Sequence, residues 1–230
     1  MRSALLLTLL ASPCLAETVV DARYSEPTSR YAHGVLGDAI EWGALEITLA
    51  SGEIRTFRLP ETRVFEDLAP RMQDLDGDGT AEIIVVEADA ELGAQLAIYG
   101  AQGKITATPH IGRAYRWLAP VGAADIDGDG VTEIAFVDRP HLRKSLEVYK
   151  YRDGTLSPWA RFGPVTNHLI GQDYISGGIR DCAGGPEIVV ARADWLEVLT
   201  LTWAGDAFEI SRQAPNAGPE SFARALSCSE

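Results

Sequence analysis

The chain has 230 residues, of which 46% are hydrophobic and 23% charged, a balance that excludes a disordered or collagen-like chain and allows one large domain or two small ones. Lys and Arg number 20 against 33 Asp and Glu, so the formal net charge is −13 and the pI is near 4.7. A field of that sign repels phosphate backbones and anionic lipid, which argues against nucleic acid or a membrane surface as partner and suits a cation-binding protein.

The first segment reads as an address. Met1-Arg2 is a short positive start, Leu5 to Leu10 an apolar run, and Pro13 a break before Ala16. This layout predicts a secretory signal over residues 1–16 with cleavage after Ala16, and export to the periplasm or the medium. Pro13 directly before Cys14 fits lipidation badly. No second long apolar run follows, so no transmembrane segment is predicted.

From there the chain repeats itself. Residues 74–86 read DLDGDGTAEIIVV and residues 125–137 read DIDGDGVTEIAFV, 51 positions apart. Each copy follows a Leu-Ala-Pro lead-in, at Leu68-Ala69-Pro70 and Leu118-Ala119-Pro120. A decayed third copy, IRDCAGGPEIVV, occupies 179–190, and a vestige keeps only Asp38, Gly43 and Glu46 of the pattern. After each closing Glu come short apolar runs parted by glycine-rich turns, such as Ile83–Val86, Gln95–Tyr99 and Lys104–Thr108. That spacing predicts antiparallel sheet, about four strands to a unit, and a period of propeller-blade size. The expected fold is therefore all-β, a small β-propeller of about four blades over residues 17–215, with a tail at 216–230. A β-sandwich or a short β-solenoid is the alternative.

The acidic loops carry the chemistry. Counting Asp74 as position one, Asp76 and Asp78 stand at three and five, Gly79 at six, Thr80 at seven and Glu82 at nine. The second copy places Asp125, Asp127, Asp129, Gly130, Val131 and Glu133 in the same order. Alternating carboxylates aim oxygens at one centre, and the glycine permits the turn that closes around it. The position-seven carbonyl can point inward, leaving residue type free there. Four acids crowded together repel one another, and a hard divalent cation relieves that. Ca²⁺ tolerates six to eight oxygens in loose geometry, whereas Mg²⁺ asks for a rigid octahedron. An EF-hand needs an acid at position twelve, where Val85 and Phe136 stand.

These loops resemble the FG-GAP, or VCBS-type, repeats of integrin α-subunits and of many exported bacterial proteins. The resemblance implies a propeller and a structural Ca²⁺ in each of two loops. Its ligands would be Asp74, Asp76, Asp78, Thr80 and Glu82 in one, and Asp125, Asp127, Asp129, Val131 and Glu133 in the other. The departures are a chain too short for seven blades and Glu in place of the commoner Asp at position nine. The third unit has Ile179 and Ala183 where the first and third of these aspartates would stand, so no ion is expected there despite Asp181 and Glu187.

Outside the loops the signals are weaker. His33, His110, His141 and His168 all fall in turn-like sequence, with no pair at metal-ligand spacing. Repeat phase favours turn hydrogen bonding for His110 and His168. Arg116-Trp117, Arg139-Pro140-His141 and Thr166-Asn167-His168 are polar and aromatic clusters in connecting segments, where function tends to sit. Arg116 beside Trp117 reads first as a stacked structural pair. No G-x-S-x-G stretch or phosphate loop occurs, and no catalytic residue is assigned. Two cysteines remain after cleavage, Cys182 in the decayed loop and Cys228 in the tail, and a disulfide between them is expected to fasten the tail.

The expected function is an exported, calcium-stiffened, non-enzymatic module that binds a protein or glycan ligand in the cell envelope. The alternative is an exported enzyme, a hydrolase or lyase, with a site built from the His and Arg clusters on one propeller face. Histidines converging in one pocket would favour the enzyme, and an exposed apolar patch the binding module.

Overall fold

The computed structural model describes residues 17–182 and 184–228, so the signal expected at 1–16 lies outside the described residues. The strands fall into three antiparallel sheets. The first has eight strands: β1 (Val19–Thr28), β2 (Glu41–Leu49), β3 (Ile54–Arg58), β4 (Arg63–Phe65), β5 (Arg71–Gln73), β6 (Glu82–Asp89), β7 (Gly93–Gly100) and β8 (Gly103–Ala107). The second has β9 (Leu118–Ala124), β10 (Thr132–Asp138), β11 (Ser145–Arg152) and β12 (Thr155–Phe162). The third has β13 (Val165–Thr166), β14 (Gly178–Cys182), β15 (Gly185–Arg192), β16 (Glu197–Trp203) and β17 (Phe208–Pro215).

About four blades were expected, and the described strands form three sheets. The short strand β4 pairs with β2 through Trp42 and Phe65 and with β6 through Arg63 to Phe65, so the vestigial first unit and the second share one sheet.

The strands after each closing Glu are apolar on both faces because both faces are covered. In β6, Ile83 and Val85 join one core with Leu45, Ile47 and Phe65, while Ile84 and Val86 join another with Ile134 and Phe136 of β10. The other face of β10, Ala135 and Val137, packs with Ile188 and Val190 of β15. The sheets therefore stack in series, each pair glued by a layer of period-two side chains. Each fully buried Val, Ile or Leu contributes about 1.5–3 kcal/mol to that stack.

The last face, Val189, Ala191 and Val198, is covered by a helix, α1 (Pro219–Leu226), through Phe222, with Ala225 and Leu226 packed against it. A bare tail was expected at 216–230, and the exposed flank of the third sheet is why part of it folds. Gly218 ends the extended chain, Pro219 suits the first helical turn, and the apolar residues line one side. Cys182 and Cys228 form the expected disulfide, closing the helix onto the end of β14.

Candidate functional site

The loop between β5 and β6 is a set of side-chain turns wrapped around its own carboxylates. Asp74 accepts hydrogen bonds from Gly77 N at 2.8 Å and Gly79 N at 3.0 Å. Asp76 accepts from Asp78 N at 3.2 Å, and Asp78 from Thr80 N at 2.7 Å. Glu82, at the first residue of β6, reaches back to Leu75 N at 2.8 Å. Gly79 has φ +87°, a left-handed conformation that a side chain would strain, which is why the sixth position is glycine.

The loop between β9 and β10 repeats every one of these bonds. Gly128 N and Gly130 N donate to Asp125, Asp129 N to Asp127, Val131 N to Asp129 and Ile126 N to Glu133. Two segments 51 residues apart thus close in the same way. In each, three carboxylates bring an oxygen within 4.8 Å of one another: Asp74, Asp76 and Asp78 in the first, Asp125, Asp127 and Glu133 in the second. Both clusters can hold a metal ion. Glu82 and Asp129 lie outside these tight groups, and Thr80 and Val131 enter by their backbone N–H to Asp78 and Asp129.

The loops differ in charge. Lys150 of β11 extends its ammonium into the second loop, 2.8 Å from Asp127, 2.6 Å from Asp129 and 3.2 Å from Glu133 Oε1. Its stem passes Trp159, with Nζ 5.1 Å from the ring centre. Glu133 is fully buried, and its Oε1, though close enough to Lys150 for ion pairing, lies outside hydrogen-bond geometry. An oxygen buried in this way suits a cation with loose coordination. Burial pushes Glu82 and Glu133 above the usual carboxylate range, and Lys150 draws Glu133 back down. Asp129 is held below its usual value, chiefly by its hydrogen bond to Lys150.

In the third unit Arg180 occupies position two of the decayed loop and grips Glu187, the closing acid, through Nε at 2.7 Å and Nη2 at 2.5 Å. Its remaining reach is to the carbonyl of Ala225 in α1. Among the described residues no metal-ligand cluster forms there.

The histidines divide. His110 lies apart, its Nδ1 2.7 Å from the Gly93 carbonyl, a turn-binding role in line with its repeat phase. The other three gather on the loops around a cleft of about 230 Å³ lined by His33, Tyr115, Arg116, Trp117, Arg139, Pro140, His141, Leu142 and Ile170. His33 Nδ1 meets Glu66 Oε1 at 2.5 Å, and Glu66 is buried with its Oε2 unpartnered. His141 Nε2 meets His168 Nδ1 at 3.0 Å, and His168 Nε2 meets the Gln172 carbonyl at 3.0 Å. A carbonyl only accepts, so His168 carries its hydrogen on Nε2, its Nδ1 accepts from His141 Nε2–H, and His141 Nδ1 is left as a lone pair. Both rings are neutral near pH 7, because burial holds them below the usual histidine value, His141 at about 4.

Trp117 does not pair with Arg116 as its position suggests. The indole is buried, donates to Glu66 O at 2.8 Å and packs against His141 and His168. Thr166, Asn167 and His168 are fully buried, with Thr166 tied to Pro140 O of the turn after β10 and Asn167 to Ala119 O and Pro120 O of β9. Arg139 is held by Asp138 at 2.9 and 2.7 Å. Sequence order hid this gathering, since His33 and Glu66 are 33 residues apart and His141 and His168 are 27 apart. Glu66 carried no sequence signal at all.

No helix among the described residues is long and apolar enough to cross a membrane, and the disulfide points to an extracytoplasmic setting. No curated protein matches the chain. Residues 74–136, which contain both intact acidic loops and the strands between them, match the family model of the FG-GAP-like repeat, and this segment of the chain is an FG-GAP-like repeat.

Proposed function

We propose that this protein is an exported, calcium-binding β-propeller-type module that recognises a protein or glycan ligand in the cell envelope and does no chemistry on it. The observation that carries the metal assignment is the identical closure of two acidic loops inside an FG-GAP-like segment, each with three carboxylates converging. Ca²⁺ would supply charge neutralisation, held by Asp74, Asp76, Asp78 and Glu82 with the Thr80 carbonyl, and by Asp125, Asp127, Asp129 and Glu133 with the Val131 carbonyl. Stiff loops on stacked sheets lower the ordering cost of engaging a partner.

The enzyme alternative gains from His33, His141 and His168 coming together with Arg116 and Arg139. Yet the described lining of the cleft holds no Ser, Cys, Asp or Glu to act as nucleophile, and it includes the exposed apolar side chains of Tyr115, Leu142 and Ile170. That mixture supports recognition over turnover.

The test is thermal melting with chelator and with excess Ca²⁺, alongside elemental analysis. Occupancy at 100 times the dissociation constant should add about 2.7 kcal/mol per site. Asp76→Ala and Asp127→Ala should each remove one equivalent of calcium. Melting that ignores chelator, in a protein that carries no calcium, sinks the proposal.

A further inference from the structure

The cleft around His33 and His141 is lined by two arginines and by apolar side chains, in a chain whose formal charge is −13. Its described lining includes Arg116 and Arg139 and no acid, and the adjoining hollow past Pro140, His141 and Ile170 adds Lys144. We propose that this cleft binds a small organic carboxylate that carries an apolar body and a hydrogen-bond donor.

The polar wall groups differ in how much donor capacity the fold leaves to them. Arg139 is spent on Asp138, and Lys144 on the Ala193 carbonyl at 2.7 Å. Among the described residues Arg116 makes one side-chain hydrogen bond, from Nη1 to the Tyr115 carbonyl at 2.7 Å, so most of its five N–H groups remain for a ligand. A guanidinium fork matches a carboxylate in two parallel bonds.

His33 supplies a second donor. Its Nδ1 is engaged by Glu66, and its Nε2 meets no hydrogen-bond partner among the described residues. Burial drives Glu66 strongly toward its protonated form, with Asp67 adding repulsion, so the His33–Glu66 pair stays neutral overall. A hydrogen on Glu66 Oε2 would be buried without an acceptor, so of the two protons of the neutral pair one lies between Nδ1 and Oε1 and the other on Nε2. His141 Nδ1 offers the complementary lone pair, fixed by the relay through His168 to Gln172. Donors for a carboxylate therefore share the cleft with one acceptor for a hydroxyl or amine.

Tyr115, Leu142 and Ile170 are 51%, 64% and 73% exposed, a poor use of apolar surface unless something covers it. At about 230 Å³ the cleft is smaller than the roughly 300–1,000 Å³ of drug-sized sites, which sets the ligand as small.

The experiment uses the calcium-saturated full chain and titrates it calorimetrically with 3-phenyllactate, 3-phenyllactamide and 2-phenylethylamine. The carboxylate should bind saturably, with the amide and the amine at least tenfold weaker. Arg116→Met and His33→Gln should each weaken 3-phenyllactate at least tenfold, and Arg161→Met, outside the cleft, should leave it unchanged. Arg116 gives up one side-chain bond, so its variant keeps the test valid if the His33 variant does not fold. No saturable binding of 3-phenyllactate, equal binding of the amide, or an unchanged Arg116→Met titration overturns the inference. The inference rests on the binding-module reading and not on the acidic loops. A protein that ignores 3-phenyllactate yet melts earlier in chelator overturns this site alone.

Discussion

The two acidic loops share the same pattern of acids and glycines and the same internal hydrogen bonds, and they differ in counter-charge. In the second, Glu133 stands opposite Lys150 in the β10–β11 register. In the first, Ile83 pairs with Tyr99, which sets Glu82 opposite Gly100. One strand residue, Lys in one unit and Gly in the other, decides whether four acids face an ammonium of the protein's own. The ligand pattern within a loop therefore does not by itself fix how strongly the loop demands a metal. A calcium ion entering the second loop must displace Lys150, while none of the described cations lies among the carboxylates of the first. The third unit extends the series: two acids are lost, Arg180 holds the remaining Glu187, and the disulfide fastens the loop's end to the segment after α1.

The largest effect is expected at the third unit, where a covalent tie stands in place of the lost acids. The Cys182–Cys228 bridge spans a sequence separation of 46 and ties α1 down over Val189 and Ala191. Closing such a loop constrains the unfolded chain by about 4 kcal/mol in the entropic account, an upper figure. Cys228→Ser should lower the melting temperature by a similar margin with calcium and with chelator, because the bridge shares no partner with either acidic loop. A Cys228→Ser effect that vanishes in chelator would mean the third unit is coupled to the ions and the series is false.

Lys150→Met should come next. It strips three ion-pair contacts from the second loop, one to a fully buried acid, and leaves like charges facing each other. The chelated protein should lose about 1–3 kcal/mol. Calcium binding at that loop should tighten at least tenfold, since no ammonium must leave. If titration finds calcium affinity unchanged, Lys150 is no competitor and the loops are equivalent.

Much of this was legible in sequence because the repeats are written in runs. The alternating acids, the sixth-position glycines and the closing Glu predict the turns, and the apolar runs predict β6, β10 and β15, where both faces are buried. What was not legible depends on partners far along the chain. Gly100 and Lys150 look like ordinary strand-end residues until the register sets them opposite Glu82 and Glu133. The helix α1 was missed because its apolar side is short, Phe222, Ala225 and Leu226, and its reason for folding is a sheet face supplied by Val189 and Val198. Glu66 is one acid among 33 until Trp117 and His33 close over it.

Transplanting the difference sharpens the comparison further. Gly100 has no left-handed φ, and a Cβ there would meet only the tip of Ile105, at 3.1 Å, a flexible end that can shift. Gly100→Lys should therefore be accommodated and bring an ammonium toward Asp76, Asp78 and Glu82. The chelated protein should gain about 1 kcal/mol, and calcium binding to the first loop should weaken severalfold. A Gly100→Lys protein with undiminished calcium affinity would show that reach, not register, governs Lys150.

The smallest expected effect is in the pH profile of the chelated protein. Glu82 is raised first by burial, then pushed further by Asp76 and Asp78, with only its backbone hydrogen bonds pulling down. A carboxyl raised in the folded state holds its proton more tightly than in the unfolded chain. Its folded form is then favoured fully below the ordinary value near 4.5 and loses ground as pH rises through the raised one. Glu133 is raised by burial too, but Lys150 opposes the rise. Asp129, lowered by Lys150, works in the other sense: its share is present above the unfolded value and is lost as pH falls. The first loop should thus lose stability in the chelated chain as pH rises above about 4.5, while in the second Asp129 works against Glu133 and the loss is smaller. Glu82→Gln, which mimics the protonated acid, should match the parent below the ordinary carboxylate value near 4.5 and exceed it in melting temperature at neutral pH. Glu133→Gln removes a partner from Lys150 and should instead lower the melting temperature across that range. If the two variants shift the profile alike, Lys150 does not distinguish the loops electrostatically, and the unequal-site reading fails with it.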